Sequence, residues 1–281
     1  MVTILDGKAL AEKLCNSYKK KVEKAGLKIK LAVVLVGDNP ASEIYVQNKK
    51  KRCMDVGIGC EIRRFKKEIS EEMLISEIDA LNSDKEIDAL MVQMPLPKHI
   101  NPRNILEAVD TRKDVEGLST YHMGRLSLGN EDVVPCTPKG VIRLLDEYGI
   151  GLAGKDVCII GYSDIVGKPL ATLCLNREAT VTVCHVKTKD LGKHTRDADI
   201  IMTATGVPKL IKKEMIKQGC IIIDIGIKKL RENVVGDADF ESIKGRCSHI
   251  TPVPGGIGPM TIAMLVENMV EAAERKLKQT E

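Results

Sequence analysis

Tyr45 and Lys49 stand four residues apart in ASEIYVQNKKKRC, a stretch with helical character. That spacing sets both side chains on one helical face, within hydrogen-bonding reach of each other. A lysine on a partly desolvated face has a lowered pKa and serves as a general acid or base near neutrality. The competing reading is a solvated basic face, because Lys49, Lys50, Lys51 and Arg52 follow one another. Only Lys49 shares the face of Tyr45; its neighbours project elsewhere around the helix. Gln93 closes the apolar run IDALMVQ, where its amide either aims into a cleft or caps the following loop. KDVEG places Asp114 and Glu116 in a loop, with surface solvation as the alternative to a binding role. In PVPGGIGPMT, three prolines and three glycines make a rigid, side-chain-poor loop. Its backbone, Pro254, Gly255 and Gly256 included, can approach a flat ligand closely, and Pro259 falls near the first turn of a helix.

A second chemistry is written in GYSDIVGKP, residues 161–169, directly after the apolar run DVCIIG and at the start of a helix. This strand–turn–helix context is the one a dinucleotide fingerprint requires. Gly161 permits the tight turn, and Ser163 replaces the usual second glycine with a residue small enough for pyrophosphate to approach. Gly167 allows close helix–strand packing, while the helix N-terminus offers free N–H groups to phosphate. The alternative is a strand–helix turn with no ligand. TATG (203–206) and DIGI (224–227) are two more strand ends with small residues, and such ends bind ligands in open parallel sheets. His185, after TVTVC, reads as a packed or cofactor-edge histidine rather than a catalytic one.

The elements that must position these residues alternate between strand and helix, which predicts an α/β fold with mostly parallel sheets. Helices are predicted at 7–25, 41–56 and 71–81, and strands at 31–37, 60–65 and 87–93; MPLPKHINP then breaks regular structure. A second set begins with GVIRLLDEYG and continues through DVCIIG, a helix at 166–176, TVTVCH, DIIMTAT and CIIIDIG. The final helix, 260–278, is amphipathic and needs a partner, so it is expected to fold back on the first set. The resulting organisation is two α/β lobes with an interlobe cleft. The first comprises 1–117 plus 262–281; the second, 118–261, is Rossmann-like and doubly wound.

With 281 residues, 43% hydrophobic and 29% charged, the chain is long enough for one large domain or two modest ones with real cores. A net charge of +4 with scattered Lys and Arg gives no strong field for nucleic acid or anionic membrane. Five Tyr, two Phe and no Trp are too few for base-stacking platforms. The nine cysteines form no C-x-x-C pair, and several, such as Cys158 and Cys220 in apolar runs, read as small buried hydrophobes, a usage that fits a reducing cytosol. The start MVTILDGKALAEKL is unlike a signal peptide, and no apolar run of ~18 residues is present to span a membrane. No metal cluster, P-loop or Ser-His-Asp order is evident.

Ten motifs, taken in order, resemble the bifunctional methylenetetrahydrofolate dehydrogenase/cyclohydrolase family over essentially the whole chain. They are VGDNPAS with YVQNKKKRC, VQMPLPKHI, KDVEG, GRL, PCTPKG, GYSDIVGKP, ATVTVCH, ADIIMTATG, IDIGI and ITPVPGGIGPMT. The resemblance implies that methylenetetrahydrofolate is oxidised and the methenyl product hydrolysed in one cleft, with the first product already held for the second step. By the same resemblance Tyr45 stacks on or orients the folate, Lys49 is the central acid/base and Gln93 tunes it. Glu116 grips the pterin, with Asp114, Pro254, Gly255 and Gly256 as further substrate contacts. Thr137, Gly161, Tyr162, Ser163, Val166, Gly167, His185, Val186, Gly206, Ile227 and Thr261 line the cofactor, and the protein is a cytoplasmic homodimer joined through the nucleotide lobe.

Three positions depart from the family pattern. Glu116 stands for an Asp, Tyr162 for an Arg and Val186 for a Ser. The last two commonly contact the extra phosphate of NADP, and neither Tyr nor Val supplies an arginine's bidentate fork. Lys187 and Lys189 are nearby point charges. NADP is the expected cofactor and NAD the alternative. A different pterin carrier, a monofunctional enzyme and a non-catalytic nucleotide-binding regulator are the competing readings. The retention of Tyr45, Lys49 and Gln93 opposes the last two.

Overall fold

The computed structural model describes residues 2–230 and 233–278. The chain forms two compact units. The first contains Lys13–Arg125, Asp132–Val134 and the residues from Leu265 on; the second contains the segment up to Glu12, Leu126–Glu131 and Pro135–Met264.

The N-terminal half runs β1 (Thr3–Ile4), α1 (Gly7–Ala25), β2 (Lys30–Val36), α2 (Pro40–Val56), β3 (Gly59–Phe65), α3 (Glu71–Ser83) and β4 (Ala89–Val92). β2 lies between β3 and β4 and is parallel to both. All its residues after Lys30 are buried, as expected of a parallel strand covered on both faces. Ala32, Val34 and Val36 pack with Leu74 and Ile78 of α3 in one core cluster. Two short helices, α4 (Pro102–Ala108) and α5 (Thr120–Ser127), follow the proline-rich break, where periodicity predicts none. α4 starts because Asn101 accepts the Arg103 amide and Pro102 occupies the first turn.

The C-terminal half contains α6 (Cys136–Glu147), β5 (Asp156–Ile160), α7 (Gly167–Leu175), β6 (Thr180–Cys184), α8 (Leu191–Thr195), β7 (Ile200–Thr203) and β8 (Ile221–Asp224). It ends with β9 (Lys228–Leu230), β10 (Asn233–Val235), α9 (Phe240–Ile243), β11 (His249–Ile250) and α10 (Ile257–Lys278). Six strands form one sheet in the order β1-β11-β8-β7-β5-β6, every pairing parallel. After β6 the chain returns to the other side of β5, so the winding reverses between β5 and β7. This is the doubly wound arrangement the sequence predicts, and the reversal is where open parallel sheets bind ligands. β9 and β10 form a separate antiparallel pair that periodicity does not reveal.

The unit boundaries differ from those expected at 1–117, 118–261 and 262–281. β1 is bonded to β11, which draws the first twelve residues into the second unit. Residues 118–125 stay with the first unit, where His122 Nε2 lies 2.9 Å from the Thr111 carbonyl. The last three residues of 262–281 lie outside the described residues. α10 supports the first unit from Leu265 on, through a Tyr18–Glu267 hydrogen bond and a Lys276–Asp88 ion pair at 3.4 Å. All nine cysteines are free, and all but Cys60 are buried. Among the described residues no helix is long and apolar enough to cross a membrane, and no cluster of metal-binding side chains occurs.

Candidate active site and nucleotide site

Lys49 sits on the buried stripe of α2. Ser42, Val46, Lys49, Cys53 and Val56 recur at helical spacing and are buried together, which rules out a solvated basic face for this lysine. The helix is fixed at both ends. Asn39 Oδ1 accepts the amides of Ala41 and Ser42, and Gly57 ends the helix at φ 88° in the left-handed region. Lys49 is 5% exposed. Its Nζ donates to Gln93 Oε1 at 3.0 Å, lies 3.7 Å from Met91 Sδ and is 3.7 Å from Glu116 Oε1. Tyr45 is not among these partners, so sharing a helical face did not give the hydrogen bond its spacing allowed. Its half-buried phenol is pushed above its ordinary pKa by desolvation.

The Gln93 amide is bonded on both sides. Its Oε1 faces Lys49, while its Nε2 donates to the Met94 carbonyl at 2.6 Å and shapes the loop. Its backbone N–H is bonded to the Val34 carbonyl, so the sheet ladder sets the amide's position. Glu116 is placed by its loop. Asp114 is buried, and its Oδ1 accepts the amides of Glu116 at 3.1 Å and Gly117 at 2.9 Å, while Oδ2 accepts that of Ser119 at 3.1 Å. The geometry gives Asp114 the task of organising the turn that carries Glu116, in place of solvation. The same loop is tied to β4 by the Lys113 carbonyl and to α10 by Asn268, whose Nδ2 donates to the Val115 carbonyl at 2.8 Å and the Val134 carbonyl at 3.0 Å. Burial pushes the Glu116 carboxyl above the usual carboxylate range, and the nearby Lys49 opposes that shift. A buried lysine nitrogen set between an amide oxygen and a carboxyl of raised proton affinity has the surroundings that general acid–base work requires.

The second unit builds its site from backbone. Gly161, just past β5, has φ 122° and bonds through its N–H to the Cys184 carbonyl; a Cβ there would come within 2.6 Å of the Ala204 carbonyl oxygen. At Gly167 a Cβ would collide with the Gly161 carbonyl oxygen. Both glycines therefore keep a close turn open at the reversal of the sheet. Ser163 Oγ accepts the amides of Val166 at 3.2 Å and Gly167 at 3.5 Å, closing the turn that leads into α7. Gly206, at φ 69°, turns the chain after β7. Thr137 and Thr261, predicted from distant motifs, meet with their hydroxyls 2.9 Å apart. Pro254, Gly255 and Gly256 belong to this same unit, where the Gly255 carbonyl accepts the Lys8 amide at 2.8 Å. The Val253–Pro254 and Met94–Pro95 peptides are cis.

His185 is exposed rather than packed, and its Nδ1 accepts the Lys187 amide at 3.1 Å. Val186 is 96% exposed and Ile227 42%. Tyr162, 55% exposed, carries Lys168 Nζ 4.7 Å from its ring centroid and His185 at 6.1 Å. Lys168 was not singled out from the sequence; its signal is the one-turn spacing from Asp164, to which it is bonded. Also missed were Met91, Asn268 and two buried carboxylates, Asp224 and Asp237. Each lies in an apolar or loop context that gives no local sign of a partner.

A buried lysine held by an amide and a carboxylate in one α/β unit, and a glycine-built turn at the reversal of a parallel sheet in the other, are the features of a nucleotide-dependent enzyme. Family models describe residues 5–116 as a tetrahydrofolate dehydrogenase/cyclohydrolase catalytic domain and residues 135–277 as the NAD(P)-binding domain of the same family. The chain belongs to the tetrahydrofolate dehydrogenase/cyclohydrolase family. It is 50% identical to the bifunctional protein FolD of Nautilia profundicola, over 99% of each chain. The FolD methylenetetrahydrofolate dehydrogenase/cyclohydrolase of Campylobacter jejuni matches at 47% identity and a TM-score of 0.95, over 98% of this chain and all of that one. The Trypanosoma brucei enzyme, solved with NADP and an inhibitor, matches at 32% identity and a TM-score of 0.94, over 99% of each chain.

Proposed function

We propose that this protein oxidises 5,10-methylenetetrahydrofolate to the 5,10-methenyl form with NADP and then hydrolyses that product to 10-formyltetrahydrofolate. The observation that carries the reading is the buried Lys49 amine held between Gln93 and Glu116. The family's usual residues recur around it, with Glu116 one methylene longer than the usual Asp. In the hydrolytic step, water adds to the amidinium-like carbon and loses one proton to the Lys49–Gln93 pair. The resulting hydroxyl then loses its proton as the formyl C=O forms, the bond from that carbon to N5 breaks and N5 takes up a proton, so that one proton is released overall. Tyr45 orients the folate ring, and Glu116, set by Asp114, grips the pterin. Pro254, Gly255 and Gly256 add backbone contacts to the substrate.

The residues of the second unit fit a dinucleotide, because added Cβ atoms at Gly161 and Gly167 would fill the turn that backbone must leave open. When bound, the nicotinamide accepts the hydride that leaves the bridging carbon. Thr137, Gly161, Ser163, Val166, Gly167, Gly206, Ile227 and Thr261 would line the cofactor, with Tyr162, His185 and Val186 at the adenosine end. Discrimination between NADP and NAD is weak in this reading, since Tyr162 and Val186 offer no guanidinium and Lys168, Lys187 and Lys189 act only as point charges. The protein works as a cytoplasmic homodimer joined through the nucleotide-binding unit.

Assaying the purified protein with methylenetetrahydrofolate and each nucleotide tests the whole reading. Methenyl absorbance should rise only with nucleotide, and added methenyltetrahydrofolate should be hydrolysed without it. The kcat/KM ratio of NADP over NAD should stay below ~1000-fold, equivalent to roughly 4 kcal/mol. Light scattering at the monomer mass would remove the dimer from the proposal.

A further inference from the structure

Two buried aspartates of the second unit interlock. Asp224 is 4% exposed and Asp237 1%. A Cβ at Gly236 would collide with the Asp224 carboxylate, and one at Gly226 would collide with that of Asp237. Each carboxylate thus fills the space that a glycine beside the other one leaves. Asp224 Oδ1 accepts the amides of Gly226 and Asp237, both at 3.0 Å, and its Oδ2 accepts that of Ala238 at 2.8 Å. Asp237 Oδ2 accepts the Thr203 hydroxyl at 2.8 Å, the Thr205 amide at 2.6 Å and the Thr205 hydroxyl at 2.8 Å. Thr205 Oγ1 in turn accepts the Val207 amide at 3.2 Å, across Gly206. Asp237 Oδ1 is buried and has no partner among the described residues.

Burying a carboxylate with one oxygen unpaired is costly, so a merely structural tie would be better made by a neutral side chain. The six bonds gather backbone from the ends of β7 and β8 and the segment leading to α9, at the carboxyl edge where ligands of parallel sheets bind. We propose that Asp237, backed by Asp224, is a positioning residue for the dinucleotide site: it fixes the turns that present Gly206 and Ile227 to the nicotinamide half of the cofactor. This inference rests on the nucleotide role given above to those two residues. Hydride transfer depends on that geometry, whereas hydrolysis at Lys49 does not, so the two activities of one protein report on it separately.

Full-length Asp237→Ala should raise the KM for NADP by about 10-fold or more, with methenyltetrahydrofolate hydrolysis in the absence of nucleotide within about 2-fold of wild type. Asp237→Asn keeps a carbonyl for all three donors and should restore the KM to within about 3-fold. Should the Ala variant fail to fold, Thr205→Val removes one of the three donors and should raise the same KM by about 3-fold to 10-fold. An unchanged KM in either the Ala or the Val variant overturns the proposal, as does an Asn variant no better than Ala. Hydrogen exchange of wild-type protein with and without NADP separates the two layers. No protection at 161–167 sinks the nucleotide site itself, while protection there with an unmoved variant KM sinks only the positioning role.

Discussion

The two units solve the problem of placing reactive groups in opposite ways. Around Lys49 the site is made of side chains: an amine, an amide and a carboxylate from α2, the end of β4 and the Asp114 turn converge within 3.7 Å. Around Gly161 it is made of backbone, where glycines leave room that a Cβ would fill, and Asp237 accepts the Thr205 amide of a neighbouring loop. The difference teaches that the first site should respond to exchange of functional groups at constant volume, and the second to added volume at constant chemistry.

Lys49→Met is the strongest way to break that contrast. It should lower hydrolysis of methenyltetrahydrofolate by about 10²-fold to 10⁴-fold, the usual worth of a positioned acid–base group, with the melting transition retained. Wild-type-like hydrolysis in that variant would remove Lys49 from the chemistry. The buried Asp224 comes next, its carboxyl pushed up by burial from 3.8 to about 6. A raised folded pKa gives stability that is complete below the unfolded value and is lost as pH rises through the folded one. Between about pH 4 and pH 7 the wild type should therefore lose about 3 kcal/mol relative to Asp224→Asn in urea unfolding. A difference that stays flat with pH would show that this carboxyl does not titrate in that window.

Gly167→Ala sharpens the volume side of the contrast. The added methyl meets the Gly161 carbonyl oxygen, so the variant should be destabilised by about 1–3 kcal/mol and bind NADP poorly while still hydrolysing the methenyl substrate. Normal NADP titration by this variant would show that the turn has slack. Asn268→Ala probes the support of the Lys49 side. It removes a donor shared by two carbonyls beside the Glu116 loop and should cost about 1–2 kcal/mol, read from urea midpoints, with a smaller fall in turnover than Lys49→Met. An unchanged midpoint would mean that the loop is held without α10.

Much of this was legible in one dimension. The 7–25 helix, the buried strand of LAVVLVG and the glycine turn at 161–167 follow from periodicity and from glycine's freedom at positive φ, which are local properties. So is the choice of Lys49 over Lys50 and Lys51, since helical geometry fixes which face each occupies. The β9–β10 pair and the placement of the first strand were not legible, because short edge pairings depend on distant partners. The Tyr45–Lys49 hydrogen bond allowed by spacing did not form, because Gln93 and Glu116 reach the amine from elsewhere.

Local sequence determined which elements form and which residues carry reactive groups. It could not decide which of those groups are buried together. Asp114 became a loop organiser, Asp224 and Asp237 became an interlocked pair, and Lys49 lost its solvent because contacts between residues far apart in sequence removed water from each. Desolvation and long-range hydrogen bonds are properties of the packed chain, and only the tertiary structure assigns them.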